Sequence, residues 1–125
     1  MNELRNNFEL YSISKVESVD GNTIVLKAGA VPVKLVADSV ELNPSSTTGT
    51  SGTLITIESE MLVEKVTTEV AIRYANARKA VLVFKKISGE PVVVGSPTFP
   101  ARVNIVPMLS RDRVKIRCNS LRSPL

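Results

Sequence analysis

Three basic side chains, Arg113, Lys115 and Arg117, alternate with Val114, Ile116 and Cys118. In a β-strand, successive side chains point to opposite faces, so the cations share one face at intervals of about 6.8 Å. Neighbouring like charges at that distance repel in water by only about 0.6 kcal/mol, so an exposed face tolerates the row without a partner. Such a row suits three tasks. It can contact nucleic-acid phosphates, meet an acidic surface on another subunit, or protect a strand edge against unwanted pairing. Arg111 extends the same basic stretch. No aromatic residues are interleaved with it, which counts against a binder that stacks single-stranded bases.

The densest acidic group is Glu58, Glu60 and Glu64. Carboxylates can hold Mg²⁺ or act as an acid/base pair. Nothing adjacent gives one of them a distinct environment, so the expectation is a solvated face, with Glu58 and Glu60 as acidic counterparts for the basic row. Asp20-Gly21-Asn22 lacks the other ligands of a calcium loop and reads as a turn. The glycines fit neither a phosphate loop nor a dinucleotide fingerprint. Lys79, beside Arg78 near a turn, is expected in solvent, and Cys118 on the apolar side of its strand is expected to be an inert core thiol.

The chain has no histidine and one cysteine. Histidine-based triads, the usual zinc sites and an internal disulfide are therefore excluded. The expectation is a non-enzymatic protein with no catalytic residue, no cofactor and no metal.

The elements that must position these side chains follow from pattern. Tyr11–Val19 and Thr23–Ala28 flank Asp20-Gly21-Asn22 as a hairpin. Val31–Ala37 is a strand that Pro32 confines to an edge or a strand start. Ser39–Leu42 is a further short strand. Residues 43–53, NPSSTTGTSGT, contain no apolar residue and predict a flexible loop: either a passive surface loop or an arm that orders on a partner. Leu54–Ile57 alternates. Residues 58–66 fit either a strand or one short amphipathic helix. Val70, Ile72 and Tyr74 alternate with Ala71, Arg73 and Ala75 as a strand. Ala80–Phe84 is apolar on both faces and predicts a central buried strand. Pro91–Val94, Arg102–Val106 and Arg113–Cys118 complete the set, with residues 119–125 as a tail. Short strands at this spacing predict one all-β domain over residues 1–125, an antiparallel β-barrel or β-sandwich.

The 125 residues suffice for one self-supporting core. Aromatics are only 4% of the chain, so that core falls to Val, Ile and Leu, which favours sheet. The net charge of +4 conceals a division: residues 1–77 carry six basic and ten acidic side chains, residues 78–125 ten basic and two acidic. The halves thus have opposite sign, which bears on partners rather than on fold. The first ten residues lack the apolar stretch of a secretory signal, and no run approaches the length of a helical membrane span.

The stretch Val81–Phe84, Ile87, Val92–Ser96, Phe99-Pro100 and Arg102–Ile105 resembles short structural proteins of tailed bacteriophages and prophages from Bacteroides-type hosts. The likeness covers about a quarter of the chain. It implies a virion protein assembled in the host cytoplasm: a head–tail connector (stopper or joining protein) or tail component. Its partners would be identical subunits in a ring or stack and other virion proteins. The alternative is a small nucleic-acid-binding β-barrel whose basic C-terminal face makes non-specific DNA contacts.

Overall fold

The computed structural model describes residues 4–49 and 52–120. Its strands are β1 (Asn7–Ser12), β2 (Val16–Asp20), β3 (Thr23–Leu26), β4 (Val33–Val36), β5 (Asn43–Gly49), β6 (Gly52–Val63), β7 (Arg78–Lys85), β8 (Pro91–Val94), β9 (Ala101–Pro107) and β10 (Asp112–Ser120), with one α-helix, α1 (Thr68–Arg73), between β6 and β7, and a 3-10 turn at Ile13–Lys15 that divides the expected Tyr11–Val19 strand between β1 and β2. The fold is all-β and antiparallel. Seven strands run in the order β4-β1-β7-β9-β10-β6-β5, β8 adds to β7, and β2–β3 form a separate hairpin. The sheet curls back on itself but does not close. Its two sides meet at a single bridge, Ala37 against Val63, flanked by backbone bonds from Asp38 N to Leu62 O and from Glu64 N to Val36 O, both 2.9 Å.

β7 is the organising strand, and its apolar composition on both faces explains why. Ala80, Leu82 and Phe84 point into the main core with Phe8, Leu10, Val103, Ile105, Val114 and Ile116. Phe8 and Phe84 stack with ring centroids 4.8 Å apart. Val81 and Val83 face the other way, where the β2–β3 hairpin folds over them and buries Tyr11, Val16 and Val93. The hairpin turns at Gly21, whose φ of 63° suits a residue without a Cβ. Asn22 fastens the hairpin tip to β8, its Oδ1 accepting from Val93 N at 3.1 Å.

One edge of β7 serves two partners. β8 pairs with Leu82–Lys85 and β9 with Arg78–Ala80. The chain must leave the sheet between them, and it does so at Gly95, with φ of 97°. A Cβ there would lie 2.9 Å from Ala101 N and 3.0 Å from Ala80 O, closer than a side chain tolerates.

Four expectations are corrected, the divided Tyr11–Val19 strand among them. Residues 43–49 are not a loop but strand β5, paired in register with β6 from Asn43–Glu58 to Gly49–Gly52. Backbone pairing needs no apolar side chain, and threonine favours extended structure. The middle of the expected loop, residues 50 and 51, lies outside the described residues. Residues 68–73 are helix, not strand. The Thr67 side chain caps the helix by accepting from Val70 N, and Glu69 pairs with Arg73 one turn on at 2.9 Å. Residues 39–42 form no strand, and Leu42 reaches the core from irregular chain. The ambiguous residues 58–63 are strand, with Ile57, Ser59, Met61 and Val63 turned inward and Glu58, Glu60 and Leu62 outward. β10 runs on through residues 119 and 120; the rest of the expected tail, residues 121–125, lies outside the described residues.

Candidate interaction surface

The alternation in β10 sets the site. Val114, Ile116 and Cys118 are buried at 0%, 3% and 4% exposure, which forces Arg113, Lys115 and Arg117 to the outer face. β10 lies between β9 and β6, so the row is central rather than at an edge. Edge protection is therefore not its task.

The β10–β6 register then brings acids and bases together. Lys115 stands opposite Glu60 and Arg117 opposite Glu58. The charged groups meet at 3.7 Å and 3.4 Å. These carboxylates and cations do not occupy opposed faces of the subunit. They neutralise each other within one face, and as exposed pairs each is worth about 0–1 kcal/mol. Arg111 pairs with Asp38 at 3.2 Å. Arg113 lies across from Leu62 on one side and Val106 on the other, both partly exposed, and makes no ion pair among the described residues.

Sequence spacing alone does not reveal what β9 and β7 contribute. Arg102 is opposite Arg117 on one side and Lys79 on the other. Lys79, Arg102 and Arg117 thus form a cation row across three adjacent strands, and Glu58 closes its far end. Strands lie about 4.8 Å apart, so the row spans about 10 Å. Each adjacent repulsion is at most about 0.9 kcal/mol in water. The three residues lie on different strands, and only the pairing register brings them together.

A second feature lies at the other end of the strand order. β5 and β6 pair on as a two-stranded arm beyond the last described β10 pair, Ser120 with Ile55. β5 ends the strand order, so among the described residues its outer edge carries backbone donors and acceptors with no strand against them. The strand NPSSTTG has no charged residue, and its single proline stands at its second position. Charged side chains, a common way to blunt an edge, are absent from this one.

The remaining chemistry is structural. Burial pushes the Cys118 thiol up to about 11, which keeps it protonated and weakly nucleophilic near neutral pH. Asp112, 1% exposed, accepts hydrogen bonds from the Lys65 ammonium, from Val66 N at 2.9 Å and from Met108 N at 3.4 Å. It ties the β6–α1 connection to the β9–β10 turn. Among the described residues, no group of three His, Cys, Asp or Glu side chains is placed to hold a metal ion. No helix there is long and apolar enough to cross a membrane. No family model, curated protein or solved structure matches this chain.

Proposed function

We propose that this protein is a non-enzymatic structural subunit that assembles with copies of itself, as a head–tail connector or tail component in the virion of a tailed phage. The observation that carries the assembly reading is the β5–β6 arm: a hairpin whose outer strand is uncharged and, among the described residues, has no strand along its outer edge. An extended strand with a bare edge gains backbone hydrogen bonds by adding to the sheet of a neighbour. Exposed Leu62, Val106, Met108 and Leu109 add apolar contact area for a neighbouring chain. The placement in a virion rests on the likeness carried by Val81–Phe84, Val92–Ser96 and Arg102–Ile105.

The test removes the arm and leaves the body. Residues 46–55 are replaced by Asn-Gly, closing the hairpin at the Ser45–Thr56 pair. Light scattering is expected to show an oligomer for the full chain and a monomer for the shortened one, with matching circular dichroism. Antibodies against the chain are expected to label the neck or tail of phage particles. A full chain that stays monomeric at every concentration, or a shortened chain that assembles as before, overturns the assembly reading; unlabelled particles overturn the virion placement.

A second reading has one observation in its favour. The Lys79–Arg102–Arg117 row is a basic surface that Glu58 only partly offsets, and it suits the phosphates of nucleic acid.

A further inference from the structure

The seven-strand path through the sheet has two terminal strands, β5 at one end of its order and β4 at the other, with β8 off that path on β7. β4 pairs with β1 along Val33–Val36, and its other edge meets β6 only at the Ala37–Val63 bridge. Past that bridge the chain turns away through residues 64–67 into α1, and a groove of about 310 Å³ opens between them. Its walls include Val33, Lys34, Val36, Glu64, Lys65 and Val70. The groove exists because the barrel fails to close, and it runs beside the unpaired edge of Val33–Leu35.

One molecule therefore carries a donor strand and, at the opposite end of the same sheet, an acceptor edge lying in a groove. We propose that the β5 edge of one subunit adds to the β4 edge of the next, seated in this groove, so that the sheet continues from chain to chain. The occupant is a second copy. The proposal rests on the assembly reading and names its acceptor. Donor and acceptor are different surfaces, so the contact is heterologous: repeated, it closes as a ring or extends as a tube. The arm's β5 strand is uncharged and brings no ion into the groove, whose own charged residues are Lys34, Glu64 and Lys65, the last engaged by Asp112. Partly buried Val33, Val66 and Val70 pack on the main core, so the groove floor is held by the body of the fold.

The test is site-directed cross-linking in a Cys118→Ala background. One preparation carries Ser46→Cys on β5. The other carries Lys34→Cys or Val36→Cys on β4. The two are mixed and oxidised, and a control mixture pairs Ser46→Cys with Lys15→Cys. The expected result is a disulfide-linked species of doubled mass for Ser46→Cys with a β4 cysteine, well above the control, and lost on reduction. If light scattering shows an oligomer but the β4 cysteines link no better than Lys15→Cys, the acceptor is wrong while the assembly reading stands. If the protein remains monomeric at all concentrations, both fall.

Discussion

Asp112 shows how one buried charge is kept. Burial alone would raise its carboxyl above the usual range, but bonds from Lys65, Val66 N and Met108 N, with the Lys65 charge, outweigh that and hold it below. A carboxyl lowered in the folded state stabilises the protein fully above its unfolded value of about 3.9 and loses that contribution as pH falls through the folded value. Asp112→Asn keeps the shape but cannot carry the charge. It should cost about 1–3 kcal/mol at pH 7, the scale for leaving buried polar partners poorly satisfied. Urea unfolding at pH 7 and at about pH 2 checks this, because the gap to the parent should shrink in acid as the parent's carboxyl is protonated. A gap that is unchanged in acid would mean that Asp112 acts through packing alone.

At the scale of elements, Gly95 decides whether β8 and β9 can share β7. Its positive φ and the backbone atoms within 3.0 Å of a Cβ leave no room for relaxation by a flexible side chain. Gly95→Ala should lower stability by about 1–3 kcal/mol, within the range of a strained backbone position, while Gly29→Ala, with open space around its Cβ, should show only the backbone part of that loss. Thermal unfolding of the two variants separates strain from clash. Sequence periodicity shows some elements plainly and hides others. β7 is legible because a run buried on both faces has few alternatives. β10 is legible because strict alternation fits only a strand with one face buried. The Asp20-Gly21-Asn22 turn follows from residue chemistry. The helix α1 is not legible, because Val70 and Tyr74 are four apart and satisfy both a period of two and a helical turn; Ile72, which the strand reading needs inside, is 72% exposed. β5 is hidden because it holds its place through backbone bonds, which leave no apolar pattern.

For the whole molecule, the question is what its uneven charge does. The acidic first part and basic last part of the chain are not separated in space where β6 and β10 pair, since Glu58 and Glu60 neutralise Arg117 and Lys115. That arrangement was beyond sequence reading, because register joins residues 59 and 55 positions apart. Reversing Lys115 and Arg117 would set like charges opposite each other inside the fold, so it tests folding as much as binding. Lys79 and Arg102 make no ion pair among the described residues and lie across from other cations, so they are better probes. If the outer face bound duplex DNA through Lys79, Arg102 and Arg113, log K against log salt would slope at about −3, and Lys79→Glu with Arg102→Glu would flatten it to about −1. If the face only keeps the subunit soluble and guides the approach of copies, parent and double variant should bind duplex DNA equally weakly at every salt concentration. The assembly reading predicts that second outcome, with the mass of the oligomer unchanged by the double substitution and its rate of formation more sensitive to salt than its final extent. Fluorescence anisotropy with a labelled duplex, beside light scattering on the same samples, distinguishes the two. A steep salt slope lost in the double variant would move the function to nucleic acid.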